Sequence, residues 1–161
     1  MTIDIWSGGT YPANVLSNFY PNAFVFDGVE CSSMEGLLQS LKTKNVALQK
    51  TVCSCSDRTA KFFFRHRVQN IRWKLTGKLY WKGKSINRHG DEYQCFLDAI
   101  YDSICSNVSF REALISSNGA ELTHKLGGKD TRKTILTEYE FVSRLMRCRE
   151  MVVNQRENNL P

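Results

Sequence analysis

No stretch of this sequence approaches the roughly 18 apolar residues that a membrane span requires. Nothing near Met1 joins a charged start to an apolar run and a small-residue cleavage site. The expectation is a cytoplasmic protein with no membrane partner. Prolines number three, and no proline-rich linker, low-complexity tract or internal repeat divides the chain. One domain over residues 1–153 is expected, followed by a polar tail at 154–161. With 161 residues and 42% hydrophobic side chains, such a domain folds without a covalent staple. The six cysteines, Cys31, Cys53, Cys55, Cys95, Cys105 and Cys148, therefore read as reduced thiols. Their tight pair, Cys53-Ser54-Cys55, is too close for an ordinary disulfide and lacks zinc-knuckle spacing, and no second Cys or His pair completes a metal site. Neither a metal nor a cofactor is expected.

What is present is a modest positive excess, 22 Lys and Arg against 16 Asp and Glu, for a formal charge of +6. It suits an anionic ligand such as a nucleotide or a nucleic-acid backbone, and equally serves solubility. Short strands are expected at Ile3–Trp6 and at Ala23–Phe26, which ends in the turn signal Asp27-Gly28. A hairpin is expected over Tyr80–Ile86 with Lys82-Gly83 as its turn. Helices dominate the remainder. Starts are read at Ser32-Ser33-Met34-Glu35, Asp57, Ser109-Phe110-Arg111-Glu112 and Thr137-Glu138-Tyr139-Glu140. Tyr93, Phe96, Leu97, Ile100 and Ile104 recur at helical spacing, which predicts an amphipathic helix from about Glu92 to Ser106. The class is α+β: a mainly helical single domain with a few short N-terminal and central antiparallel strands.

The helix near Ser33 carries the candidate chemistry. Met34, Leu37, Leu38 and Leu41 form its apolar face, while Glu35, Gln39 and Lys42 at i, i+4 and i+7 form a polar row beside it. A carboxylate, an amide and an amine at the edge of a core are what a small polar pocket needs. The competing explanation for Glu35 is a capping box with Ser32, and for Lys42 a solvated helical lysine. Among other candidates, Asn18 offers a donor and an acceptor beside Phe19. Arg65 suits a pyrophosphate, Trp81 a base stack, His124 a proton shuttle, and Lys129 beside Gly127-Gly128 a phosphate. The bland alternatives are a turn for Asn18, a solvated face for Arg65, core for Trp81 and a helix C-terminal turn for Gly127-Gly128.

Several of these residues fall in one ordered pattern. Leu16-Ser17-Asn18-Phe19-Tyr20-Pro21, then Phe24, Asp27-Gly28 and Ser33-Met34-Glu35-Gly36-Leu37-Leu38-Gln39-Ser40-Leu41-Lys42 resemble the opening of the NADAR (YbiA-like) family. Ala60-Lys61 with Arg65 or Arg67 is similar to that family's alanine-plus-arginine segment, and Leu145-Met146-Arg147-Cys148-Arg149 to its closing helix. The family's tryptophan-glycine motif has no counterpart, since no tryptophan follows Trp81. His124 stands as the candidate substitute, and the chain is similar to a divergent, phage-encoded branch.

The resemblance implies an N-glycosidase, a hydrolase cleaving the ribosyl–base bond of an ADP-ribose-type or ribosylamine nucleotide, including ADP-ribose on guanine in DNA or RNA. Such a bond breaks through an oxocarbenium-like state. Glu35 is implied as electrostatic stabiliser and general acid or base. Lys42 is implied as a phosphate holder or a Schiff-base nucleophile, and the expected location is the bacterial or phage-infected host cytoplasm. Asn18, Phe19, Gln39, Arg65, Trp81, His124 and Lys129 are the expected substrate contacts. The alternative is a module that binds NAD or ADP-ribose-related nucleotides without cleaving them. A nucleic-acid-binding accessory protein is the third class; its sign would be salt-steep binding that survives loss of Glu35.

Overall fold

The structure, a computed structural model, describes residues 1–63 and 67–158. In chain order these form β1 (Thr2–Asp4), α1 (Ala13–Leu16), β2 (Phe24–Phe26), β3 (Val29–Cys31), α2 (Met34–Ser40), α3 (Val46–Cys53), α4 (Asp57–Phe62), α5 (Val68–Thr76), β4 (Lys78–Trp81), β5 (Lys84–Asn87), α6 (Asp91–Ile104), α7 (Val108–Ser116), β6 (Glu121–Thr123) and α8 (Glu138–Asn158). Helices outweigh three short two-stranded pairings, as an α+β chain of this pattern should. Among the described residues no helix is long and apolar enough to cross a membrane.

Both hairpins form where their turns were read. Asp27-Gly28 and Lys82-Gly83 each place two consecutive residues at positive φ, 47° and 72° in the first and 47° and 82° in the second. Two-residue turns of this hand match the twist of the strands they join. The hairpins also lock to each other. Asp27 accepts from the indole Nε1 of Trp81 at 2.9 Å and pairs with the Lys82 ammonium at 3.0 Å. Phe26, Trp81 and Phe96 pack ring against ring with centroids 5.3–5.8 Å apart. The third pairing, β1 with β6, is parallel and so departs from the antiparallel expectation. It joins three-residue segments 119 positions apart, and no local periodicity announces such a contact.

The core gathers around α6 and α8. Tyr93, Leu97, Ile100, Tyr101 and Ile104 of α6 are buried against Phe141, Leu145, Cys148 and Val152 of α8. Thr137 and Glu140 form a reciprocal capping box, the Glu140 N–H donating to Thr137 Oγ1 at 3.2 Å and the Thr137 N–H to Glu140 Oε2 at 2.7 Å. Two other helix starts shift. The α7 cap is Asn107, whose Oδ1 accepts from the Phe110 N–H at 3.0 Å, not Ser109. Ser56, not Asp57, occupies the N-cap position of α4.

Ser33 is the N-cap of α2; its Oγ accepts from the Gly36 N–H at 3.0 Å and donates to the Cys55 carbonyl at 3.1 Å. The capping-box explanation of Glu35 is thereby overturned, because the residue three beyond this cap is Gly36. Gly36 has a role of its own. A Cβ there would stand 2.4 Å from the Cys55 carbonyl oxygen and 3.0 Å from those of Val52 and Cys53. These are backbone atoms at the end of α3 and cannot swing aside. Gly36→Ala is expected to cost about 1–3 kcal/mol, the usual range for overpacking, read as a lower urea midpoint at unchanged m-value.

Candidate active site

Helix α2 presents Glu35 and Gln39 to one cavity of about 220 Å³. Their spacing of one helical turn lets the Gln39 Nε2 donate to Glu35 Oε1 at 3.0 Å. Across from them, the loop after α1 is tied to the helix by the Glu35 N–H donating to the Asn18 carbonyl at 2.9 Å. The Asn18 side chain is held in turn by the buried Tyr101 hydroxyl, which donates to Asn18 Oδ1 at 2.9 Å. Asn18, Phe19, Lys61 and His124 complete the polar and aromatic wall.

His124 has a defined tautomer. Its Nδ1 lies 2.6 Å from the Ile5 carbonyl. A carbonyl only accepts, so Nδ1 carries the proton and Nε2 is left as the acceptor of the neutral ring. The remaining wall is the segment after β6, where Gly127, Gly128, Thr134, Ile135 and Leu136 face the cavity. That segment is anchored from below. The buried Arg88 donates through Nε to the Thr134 carbonyl at 3.2 Å, Tyr93 donates its hydroxyl to the Ile135 carbonyl, and the Glu138 N–H donates to the Gly128 carbonyl at 2.9 Å.

Desolvation raises the Glu35 carboxyl above its ordinary range, opposed by the Gln39 hydrogen bond and by the charges of Lys42 and Lys61. Lys42 lies in a neighbouring cavity of about 340 Å³ that shares Gln39, Lys61, Thr134 and Ile135 with the first. Its Nζ donates to Asn70 Oδ1 at 2.9 Å and stands 5.9 Å from the centre of the Trp73 ring. Burial brings its pKa down to about 8, with Glu35 opposing and Lys74 adding to the shift. An NMR titration of the lysine side chains is expected to show one resonance titrating near pH 8, absent from Lys42→Gln; a full set of lysines near 10.5 would contradict this.

Six of the expected site residues, Asn18, Phe19, Glu35, Gln39, Lys42 and His124, thus surround two adjoining cavities. Two do not. Trp81 is spent on the joint between the hairpins, its indole N–H committed to Asp27. The Lys129 side chain is 87% exposed and leans toward Glu138 at 3.9 Å, lining a separate apolar cleft along α8. Arg65 lies outside the described residues. The residue missed as a contact is Lys61, which borders both of these cavities and a third of about 340 Å³ shared with Trp6, Phe19 and Leu126. Its ammonium is 5.1 Å from the centre of the Phe19 ring. The only hint in the sequence was its place in the Ala60-Lys61 pair. Among the described residues no group of three His, Cys, Asp or Glu is arranged to hold a metal ion.

The fold defines the class. The chain matches the NMR structure of the E. coli protein YbiA at a TM-score of 0.64, over 99% of this chain and 89% of that one, with 16% sequence identity. The architecture is therefore YbiA-like, as the NADAR resemblance implied. The chain belongs to the family described as Bacteriophage protein GP30.3, whose model matches residues 10–150. It is 33% identical over 150 residues to an uncharacterized 17.1 kDa protein from the Gp30-rIII intergenic region of Enterobacteria phage T4, covering 92% of this chain and 97% of that protein. The phage family and the phage T4 relative fit a divergent, phage-encoded member of that fold.

Proposed function

We propose that this protein is an N-glycosidase that hydrolyses the bond between a ribosyl carbon and a base in an ADP-ribose-type or ribosylamine nucleotide. The observation that carries the reading is Glu35, a desolvated carboxyl at the wall of a ribose-sized cavity, held by Gln39 and bordered by Lys61. In its ionised form the carboxylate faces the positive charge that develops at the anomeric carbon. Water adds to that carbon as the C–N bond breaks, its electron pair leaving with the base. The proton lost by the water is taken by Glu35 or by His124 Nε2. The Asn18 amide meets sugar hydroxyls, Lys42 and Lys61 hold phosphate, and the cleft walled by Phe19, Trp6 and Leu126 takes the base.

A panel of ADP-ribosylated guanine DNA, NAD, ADP-ribose conjugates and ribosylaminopyrimidines, incubated with the protein and read by mass spectrometry, tests the reading. Release of a free base with the matching ribosyl fragment from one of them is expected. Tight binding with no cleavage of any would replace the glycosidase with a nucleotide-binding module.

A further inference from the structure

Lys42 leaves the turn after α2 with its backbone fixed. Its N–H donates to the Gln39 carbonyl at 3.2 Å, and the Leu41 carbonyl accepts from the Tyr80 N–H of β4 at 2.8 Å. The side chain then reaches α5, where Asn70 Oδ1 accepts from the ammonium at 2.9 Å. The same oxygen accepts from the indole Nε1 of Trp73, three residues further along the helix, at 3.2 Å. An ammonium and an indole N–H can only donate, so the two bonds together fix which end of the Asn70 amide is the oxygen. Trp73 is 2% exposed, and its bond pins the Asn70 side chain from the core side.

The surroundings work against a charged lysine. The charged groups around Lys42 are the Glu35 carboxyl of α2, Lys61 of α4, Lys74 of α5 and Lys133 of the segment before α8. Burial and Lys74 favour loss of the Lys42 proton, and Glu35 opposes them. Among the described residues Lys42 makes no ion pair, and residues 58–90, which include α5, β4 and β5, contain no Asp or Glu. A hydrogen-bond acceptor stabilises the ammonium form. A carboxylate at position 70 would do the same but would neutralise the charge, whereas an amide oxygen keeps it available. We propose that Asn70 is the positioning residue of Lys42: its side-chain oxygen fixes the ammonium in the cleft beside the Glu35 cavity and keeps it charged without neutralising it, for an anionic group of the ligand. The use of that charge rests on the reading of Lys42 as a phosphate holder. The placement of the ammonium does not.

The test takes two readouts on the full chain: the Lys42 side-chain titration by NMR, and binding of pyrophosphate by calorimetry at neutral pH. In the wild type Lys42 should titrate at about 8. Asn70→Asp keeps the shape and both accepted bonds but sets a negative charge against the ammonium, so the titration should move up to about 9 or higher. The same variant should bind pyrophosphate about tenfold more weakly, because the lysine is neutralised and a like charge faces the ligand. Asn70→Leu removes the acceptor and should move the titration down, to about 7 or lower. A residue that only supported the fold would not shift one titration in opposite directions, and Asn70→Asp alone decides where Asn70→Leu loses stability. A Lys42 titration unmoved by Asn70→Asp would overturn the proposal, as would pyrophosphate binding that is absent from wild type or equally tight in Asn70→Asp. Release of no base from any ribosyl substrate would sink the glycosidase reading instead and leave both readouts unchanged.

Discussion

Arg88→Met is expected to destabilise the protein by about 3–5 kcal/mol, the usual cost of stripping one partner from a buried ion pair. Arg88 is fully buried, and its guanidinium meets Glu140 in a fork, Nη1 to Oε1 at 2.9 Å and Nη2 to Oε2 at 2.7 Å. The same carboxylate accepts from Gln94 at 2.8 Å and from the Thr137 N–H. Truncating Arg88 leaves that charge without its cation in the core. It also frees the Thr134 carbonyl, so the wall of the cavity loosens together with the fold. Against the desolvation that burial imposes, Arg88, the Thr137 N–H and Gln94 hold the Glu140 pKa down to about 2. A carboxyl lowered on folding contributes stability above its unfolded value near 4.5, lost progressively as the pH falls toward 2. Urea denaturation between those limits should show wild-type stability dropping steeply and Arg88→Met responding less. Equal pH dependence of the two proteins would contradict the assignment.

The second large effect is on turnover. Glu35→Gln keeps the size of the side chain and a hydrogen bond to Gln39 but removes the charge. Loss of general acid–base and charge-stabilising action of this kind lowers kcat by about 100- to 10,000-fold. KM should change little, since Gln39, Lys61 and Asn18 remain. Stability should move the opposite way. A carboxyl raised on folding by burial is most favourable when protonated, so its contribution falls as the pH rises from the ordinary carboxylate range through its folded pKa. Glu35→Gln is therefore expected to melt slightly above wild type at neutral pH, which separates lost chemistry from lost structure.

Much of this site was legible because its signals are local. The Glu35–Gln39 pair follows from helical periodicity, whereas Lys42 lies past the end of α2 and opens on the neighbouring cavity; the β4–β5 hairpin follows from Lys82-Gly83, and the turn after β2 from Asp27-Gly28. The same locality hid the rest. Arg88 reads as one more basic residue after a surface hairpin, and nothing near it names Glu140, 52 positions away, as its partner. Glu140 itself was legible as a capping residue but not as the centre of a buried network. Helix α5 was not read from the sequence; Val68, Ile71 and Leu75 recur at i, i+3 and i+7 but stay exposed, and of its residues only Trp73 is buried. Lys61 joined the site, and Trp81 left it, through tertiary contacts alone. Nor did the overall charge of +6 reveal that Lys42, Lys61, Lys74 and Lys133 line one cleft.

The most direct test of the account is a single-turnover comparison of wild type and Glu35→Gln on whichever ribosyl substrate binds both, with base release followed by mass spectrometry and binding measured in parallel. The account predicts equal binding, release by wild type and release slowed about 100- to 10,000-fold by the variant. Release at wild-type rate by Glu35→Gln would contradict it and remove Glu35 from the chemistry.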